Sequence, residues 1–246
     1  MTARRLTAPS VPTVATRVAA ADWERVADEL DARGAATTGP LLDPAECRAL
    51  AALYAGETGF RSRVVMARHG FGQGEYKYFA YPLPPRVAEL RKALYLHLAP
   101  VARRWYLAMG RESEIPPTLD AYLKRCRDAE QTRPTPLLLR YGEGDYNCLH
   151  QDLYGELAFP LQATILLSAP GKDFAGGEFV LVEQRPRMQS RPEVVPLAQG
   201  EAVIFAVNER PVVGKRGVYR VKMRHGVSRL RSGERLTLGV IFHDAR

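Results

Sequence analysis

Cysteine is scarce in this sequence of 246 residues, and the few cysteines form no familiar pattern. Cys47, Cys126 and Cys148 are odd in number, lie far apart and include no C-x-x-C pair. A disulfide scaffold and a disulfide-linked partner are therefore not expected. Unpaired cysteines of this kind favour a reducing compartment, so we predict a cytoplasmic location.

Long apolar runs are missing as well. No stretch approaches the roughly 18 apolar residues of a transmembrane helix, so we predict neither a membrane span nor a membrane partner. Residues 1–21 contain three arginines and no acidic residue, without the continuous apolar core of a secretory signal. We predict a flexible N-terminal segment over residues 1–20, with an organelle transit peptide as the alternative.

An unbalanced charge is present instead. Lysine and arginine total 35 against 27 acidic residues, which gives a net charge of +8. The segment from Asn208 to Arg231 holds eight basic residues and one acidic residue, so it carries most of this excess. Its Arg216 and Arg220 are candidates for contact with a polyanion such as nucleic acid. A solvated loop is the plainer alternative, and the oligomeric state is left open.

Helical periodicity dominates the first half of the chain. The predicted helices cover residues 22–33, residues 43–54, a long stretch after Pro84-Pro85, and residues 119–129. The second of them begins with Asp43-Pro44-Ala45-Glu46, which supplies the acid, the proline and the glutamate of a helix N-terminus.

A glycine-rich segment over residues 63–79 separates the second and third of these helices. Its pattern predicts two strands joined by a turn, and this hairpin is a candidate substrate lid. Tyr76, Tyr78 and Phe79 could stack against a flipped nucleobase there. A surface hairpin with packed aromatic side chains is the alternative.

Short strand-like runs replace the helices from Pro136 onward. They have no helical periodicity between them, which favours a β-sandwich or barrel over alternating strands and helices. We therefore predict a helical region with the hairpin over residues 21–136 and a β core over residues 137–246. The predicted strand-like runs are residues 137–141, 161–168, 178–182, 202–207, 219–223 and 235–242.

Three side chains in the β half suit a metal centre. His150-Gln151-Asp152 is followed by a second histidine, His225. Two imidazoles and one carboxylate form a facial triad, which leaves coordination positions open and suits non-haem Fe(II). Residues i and i+2 of a strand point to the same face, so His150 and Asp152 could reach one metal ion. A solvated loop pair is the alternative.

The order of the motifs in the β half resembles a known family. The stretch from Tyr141 to Asp152, Gly176-Gly177-Glu178-Phe179, and His225 followed by Arg235-x-Thr237 are similar to the Fe(II)/2-oxoglutarate dioxygenases, in their prolyl-hydroxylase-like branch. The resemblance covers roughly residues 137–244. It implies an α+β fold with a double-stranded β-helix (jelly-roll) core, on which the N-terminal helical region packs.

This resemblance implies a role for each matching residue. His150, Asp152 and His225 would be the catalytic metal ligands, and the implied cofactors are Fe(II), 2-oxoglutarate as co-substrate, and O₂. Arg235 would pair with the distal carboxylate of 2-oxoglutarate, because a planar guanidinium offers a bidentate fork. The residues expected to assist at that carboxylate are Tyr141, for which a core aromatic is the alternative, Thr237 and Tyr146.

The whole chain also resembles a bacterial group of oxygenases suspected of acting on damaged nucleic acid. This predicts an oxidoreductase that demethylates alkylated DNA or RNA bases, as in DNA repair. The basic segment ends around His225, so it could flank the mouth of the active site and neutralise phosphates. One departure from AlkB-type demethylases is that Arg235 stands alone after His225, where they have a closely spaced arginine pair. The alternatives are a prolyl-type protein or small-molecule hydroxylase, an inactive jelly-roll that binds nucleic acid, and a cupin.

Overall fold

The structure, a computed structural model, describes residues 12–112 and 115–246. Within these ranges, two main antiparallel sheets, a small two-stranded sheet and a set of helices make up the fold. The helices are α1 (Val14–Ala19), α2 (Trp23–Arg33), α3 (Pro44–Ala52), α4 (Pro85–Ala108) and α5 (Leu119–Asp128). The strands are β1 (Ala35–Pro40), β2 (Phe60–Val65), β3 (Gly72–Gln73), β4 (Glu75–Phe79), β5 (Leu137–Tyr141), β6 (Tyr146–His150), β7 (Leu161–Leu166), β8 (Phe174–Gly176), β9 (Phe179–Gln184), β10 (Arg191–Val195), β11 (Glu201–Ala206), β12 (Glu209–Gly214), β13 (Gly217–Val227), β14 (Leu230–Gly233) and β15 (Arg235–Val240).

The two main sheets face each other across an apolar core. The larger sheet runs β1-β11-β7-β15-β5-β4-β2, and the second runs β10-β9-β13-β6-β3 with β12 paired to β13. Phe205 of the larger sheet packs against Phe179 and His225 of the second, with ring centroids 4.9 and 4.5 Å apart. This arrangement confirms the predicted α+β jelly-roll, and each predicted strand-like run overlaps a strand.

The predicted helices in the first half are confirmed with small shifts at their ends. α3 begins with a capping box, in which the Asp43 carboxylate accepts hydrogen bonds from the backbone N–H groups of Ala45 and Glu46. α4 buries the stripe that contains Leu94, Leu98 and Trp105. These helices pack around the larger sheet and leave the end of the second sheet with the histidines open.

α4 also fastens the end of the chain. Arg91, on its buried face, donates hydrogen bonds to the backbone carbonyls of Ile241 and Phe242 at 2.9 and 3.1 Å. The same guanidinium pairs with the buried Asp244 at 2.8 Å. A buried arginine in this position is stabilised because its N–H groups are satisfied by carbonyl and carboxylate oxygens.

The predicted flexible segment over residues 1–20 needs a correction. Residues 1–11 lie outside the described residues, but residues 14–19 form helix α1. Val14 and Val18 of this helix are fully buried, and α1 packs against α4. Two apolar residues four positions apart are enough to pack a short helix against a longer one. The composition of the segment does not reveal this contact.

The predicted boundary between residues 136 and 137 also needs a correction. β1, β2 and β4 precede it, yet all three belong to the larger sheet: β1 pairs with β11, and β4 pairs with β5. The hairpin of β2 and β4 is therefore an extension of the jelly-roll and not a separate lid. The link between its strands contributes β3, which pairs with β6 of the second sheet.

No helix within the described residues is long and apolar enough to cross a membrane. Cys47 and Cys126 are buried and Cys148 is exposed, and all three are free thiols.

Candidate active site

The three predicted metal ligands meet at the open end of the second sheet. His150 ends β6 and is the register partner of His225 on β13, and their ring centroids lie 4.2 Å apart. The Asp152 carboxylate lies between the two rings, 3.5 Å from His150 Nε2 and 3.3 Å from His225 Nε2. One ligand atom from each of the three residues lies within 4.8 Å of the others, so they form a compact donor set.

The local geometry differs in one respect from the sequence prediction. β6 ends at His150, so Asp152 lies in the following loop and not on the strand. The turn of the chain after His150, and not strand alternation, directs the carboxylate toward the imidazoles. The His-x-Asp spacing therefore brings both side chains to one site, as predicted, but through a loop and not through strand alternation.

Hydrogen bonds set up these side chains as ligands. His150 Nδ1 lies 2.8 Å from the backbone carbonyl of Cys148 and donates to it, so Nε2 is the nitrogen that faces Asp152. Such a hydrogen bond on the outer nitrogen orients a metal-binding histidine. Two imidazoles, each of which would bind a metal in its neutral form, and one carboxylate therefore fit a divalent metal ion such as Fe(II).

Each of the three side chains of the triad shifts the pKa of its neighbours. Burial by itself would raise the pKa of Asp152, but hydrogen bonds from His150 and His225 hold this pKa well below its ordinary value. Burial would lower the pKa of His150, and the neighbouring Asp152 carboxylate raises it above the ordinary histidine value. Burial and the nearby His150 lower the pKa of His225. Asp152 is therefore ionised, and one imidazole is held neutral.

Two tyrosines support the carboxylate: Tyr154, which the sequence analysis missed, and Tyr78, which it assigned to base stacking only. Tyr154 donates a hydrogen bond to Asp152 Oδ1 at 2.6 Å, and Tyr78 donates one to the Tyr154 hydroxyl at 3.0 Å. Burial raises the pKa of both phenols, so both remain neutral donors. The available signal was the position of Tyr154, two residues beyond the aspartate.

A cavity of about 300 Å³ opens from the three ligands toward the larger sheet. Arg235 on β15 lies at its inner end and is only 2% exposed. Its Nε and Nη1 atoms are buried and have no hydrogen-bond partner among the described residues. A buried guanidinium with unsatisfied N–H groups is costly, so this end of the cavity fits an anion with paired oxygens, such as a carboxylate.

The surroundings of Arg235 explain how it is held. Its guanidinium carbon lies 5.7 Å from the ring centroid of Tyr141 and 5.9 Å from that of Phe174. Gly177 has a φ of +62°, and a Cβ atom there would approach Arg235 Cδ to 3.0 Å. Gly177 therefore makes room for the arginine. Burial lowers the pKa of Arg235 to about 10, so it is still charged at neutral pH.

The structure brings two of the other proposed 2-oxoglutarate contacts to this cavity. Tyr141 is the register partner of Arg235, and both Tyr141 and Thr237 line the cavity. Tyr146 does not line it: this tyrosine stands at the start of β6 with an exposed side chain. Gln162 and Thr164, on alternate positions of β7, also face the cavity and were not anticipated.

The predicted substrate residues of the hairpin divide in the same way. Tyr76 and Tyr78 line the cavity, with their rings edge-to-face at 5.4 Å. Phe79 is corrected: it is buried in the main core and stacks on Phe60 at 4.9 Å. Strand alternation places residues 76 and 78 on the face of β4 that lines the cavity. Phe79, at the end of the strand, lies on the opposite face, in the core.

Arg216 and Arg220 need a correction as residues of the cavity mouth. Arg220 lies on β13 five positions before His225, about 17 Å away along the strand, and Arg216 lies just before β13 begins. Arg220 donates a hydrogen bond to the Met109 carbonyl at 2.7 Å. Arg216 lies exposed beside the β12–β13 turn. Other charges of this segment are paired as well, including Lys222 with Glu209 at 2.9 Å.

Comparisons with known proteins agree with this site. The family model Oxygenase-NA, described as an oxygenase catalysing oxidative methylation of damaged DNA, matches residues 74–245. The chain belongs to this oxygenase family. The matched region contains the His150, Asp152 and His225 triad and Arg235. The oxygenase is also 52% identical over 167 residues to uncharacterized proteins from two Mycobacterium tuberculosis strains, CDC 1551 and H37Rv, which covers 68% of this chain and 72% of theirs.

Solved structures with the same fold are more distant in sequence. A prolyl-4-hydroxylase of Pseudomonas putida superposes with a TM-score of 0.53 at 17% identity, covering 91% of this chain and 99% of that one. A 2OG-Fe(II) family oxygenase of Burkholderia pseudomallei gives 0.53 at 18% identity, with 92% and 94% covered. These likenesses concern the fold. Together with the family match and the triad, they confirm the predicted oxygenase and are consistent with the predicted cofactors Fe(II), 2-oxoglutarate and O₂.

Metal binding should stabilise the oxygenase more at pH 8 than at pH 6. At pH 8, a Mn(II) concentration of 100 times the Kd is expected to add about 2.7 kcal/mol to the free energy of unfolding. The same concentration is then used at pH 6. Because the pKa of His150 is raised, protons compete for its Nε2 as the pH falls through that pKa, and the gain shrinks. Thermal unfolding with and without Mn(II) at both pH values measures this. A gain of equal size at pH 6, or a gain retained in His150→Ala, would contradict it.

Proposed function

We propose that this oxygenase depends on Fe(II) and 2-oxoglutarate and demethylates alkylated DNA or RNA bases oxidatively. The observation that carries the proposal is a single cavity lined both by a compact His-Asp-His donor set and by a buried guanidinium whose Nε and Nη1 have no hydrogen-bond partner among the described residues. A dicarboxylic keto acid is the kind of molecule that could satisfy both ends at once. The description of the family supports damaged nucleic acid as the substrate.

Each residue of the cavity has a definite task in this proposal. His150, Asp152 and His225 would hold Fe(II), and Arg235 would hold the distal carboxylate of 2-oxoglutarate, assisted by the hydroxyls of Tyr141 and Thr237. Iron with 2-oxoglutarate and O₂ supplies the oxidising power to hydroxylate a substrate C–H bond, while the keto acid is converted to succinate and CO₂. A hydroxylated N-methyl group then leaves the base as formaldehyde.

The protein orients the metal-binding carboxylate and surrounds the cavity with mostly uncharged side chains. Tyr154 holds one oxygen of Asp152 by its 2.6 Å hydrogen bond, which leaves the other oxygen facing His225. Tyr76 and Tyr78 form an aromatic wall on the side of the cavity that belongs to the larger sheet. Apart from the triad and Arg235, the lining side chains are uncharged, which suits a flat base more than a charged metabolite.

Formaldehyde release from methylated oligonucleotides tests the proposal directly. With Fe(II) and 2-oxoglutarate, the full chain should release formaldehyde in step with succinate from N-methylated bases, and not from the unmethylated oligonucleotide. His225→Ala should release none. Succinate formed with a prolyl peptide, without formaldehyde from any methylated base, would instead support the protein hydroxylase. No turnover with any of these substrates would favour the inactive binding protein.

A further inference from the structure

The rim of the cavity carries exposed apolar side chains. Phe71 and Leu149 both line the cavity, yet they are 47% and 45% exposed to solvent. The His69 ring stacks on Phe71, with centroids 5.3 Å apart and planes 24° apart. We call His69, Phe71 and Leu149 the mouth rim. Large apolar side chains grouped at the entrance of a cavity are typical of a contact surface.

The mouth rim is held firmly in place. The segment with Phe71 is fastened to β6, because the Cys148 N–H donates to the Phe71 carbonyl at 2.9 Å and Gly72 pairs with Asn147. Gly72 has a φ of +123°, and a Cβ atom there would lie 2.4 Å from the Tyr146 carbonyl oxygen. This close approach fixes the Phe71 ring beside the strand that carries His150. The ring is thus a preformed platform and not a side chain on a free loop.

Charge around the mouth rim favours an anionic partner. Arg68 directly precedes His69 and is exposed, with no ion-pair partner within the described part of the chain. The rim thus combines aromatic surface with an adjacent unpaired cation, a combination that binds single-stranded nucleic acid through stacked bases and phosphates.

The same features argue against a duplex. Bases inside a duplex already stack on their neighbours, so an exposed ring gains a stacking partner only from a base that is free. The larger group of basic residues, which could clamp a second strand, lies toward the β12–β13 turn and away from the mouth.

We propose that the mouth rim binds single-stranded nucleic acid, with one unstacked base lying on Phe71 and the adjacent base entering the cavity. This inference rests on the proposed function for the identity of the entering base. The binding itself does not need the reaction, so it is measured with an unmethylated oligonucleotide.

Fluorescence anisotropy with a labelled 12-nucleotide single strand and its duplex tests the rim. With the full chain, Mn(II) and 2-oxoglutarate, we expect the single strand to bind at least tenfold more tightly than the duplex at equal salt. Phe71→Ala should weaken single-strand binding at least fivefold, whereas Phe71→Trp should retain it and show quenched indole fluorescence on binding. Leu96→Ala, which removes a similarly exposed side chain from α4, is the matched control and should change nothing.

The outcomes separate this inference from the proposed function. Equal affinity for single strand and duplex, or wild-type binding by a folded Phe71→Ala variant, overturns the stacking platform even if formaldehyde is released. Phe71-dependent binding of the single strand without formaldehyde release supports the platform and rejects demethylation. A peptide that binds in a Phe71-dependent manner, with no oligonucleotide binding, also overturns it.

Discussion

Asp152→Ala should abolish metal-dependent turnover of 2-oxoglutarate. Asp152 is the carboxylate of the donor set, and its charge is held by two imidazoles and the Tyr154 hydroxyl. Its removal leaves only the two histidines of the donor set. Loss of a hydrogen bond to a metal ligand already costs about 10–100-fold in metal affinity or activity, and loss of a ligand itself should cost more. We therefore expect at least a 100-fold weaker affinity for Mn(II) and no detectable succinate.

Calorimetric titration with Mn(II) and a succinate assay measure the two effects. Asp120→Ala is the matched control, because this carboxylate is exposed on α5 and remote from the cavity. A variant that lacks the Asp152 carboxylate but turns over 2-oxoglutarate at a rate within tenfold of wild type would show that the metal is held elsewhere.

Arg235→Met should lose 2-oxoglutarate binding and yet make the unliganded protein more stable. The guanidinium is buried and charged, and within the described residues its Nε and Nη1 have no hydrogen-bond partner. Methionine of similar length removes this desolvated charge, so we expect the free energy of unfolding to rise on the order of 1–3 kcal/mol. Truncating one partner of a buried charge pair costs about 2–5 kcal/mol in binding, which corresponds to a KM for 2-oxoglutarate raised roughly 30-fold or more.

Chemical denaturation without ligand and KM measurements with it check both parts. Arg229→Met changes an exposed arginine between β13 and β14 and should leave both quantities unaltered. Arg235→Lys should keep the charge but lose the bidentate fork, so it should raise KM without the gain in stability. A destabilised Arg235→Met variant with unchanged KM would mean that the arginine serves the fold and not the co-substrate.

Much of the fold could be predicted because local signals were strong. The capping box at Asp43, the apolar stripe of α4 and the run Arg235–Val240 each correspond to the element predicted for them. β1 escaped prediction because Ala35–Pro40 has little apolar character of its own. It is a strand because the free edge of β11 supplies its hydrogen bonds, and that edge exists only in the folded sheet.

The same division applies to the candidate site. His150, Asp152, His225 and Arg235 could be found because a metal donor set and a carboxylate fork demand particular residue types in a particular order. Tyr154 carried no comparable signal, since a tyrosine in a loop serves many purposes. Phe71 escaped notice for the same reason, and its importance comes from the pairing of β3 with β6.

The basic segment shows where composition misleads. Seven of the eight net charges fall between residues 208 and 231, which suggested a cationic mouth. In the structure Arg210 is buried against Glu183, and the hairpin carries Arg216 away from His225. Net charge is a sum over a segment, whereas the field at a site depends on where each charge lies and what pairs with it.

The sequence by itself determined the chemistry of this oxygenase: the donor set, the arginine and the jelly-roll order of strands, because these depend on residue types and spacing. Only the tertiary structure decided what surrounds that chemistry. The larger sheet recruits strands from the N-terminal half, Tyr78 bonds to the Tyr154 hydroxyl that supports Asp152, and an aromatic rim faces the cavity where a basic one was expected. Most of these are contacts between residues far apart in the chain, and such contacts leave no periodic pattern in the sequence.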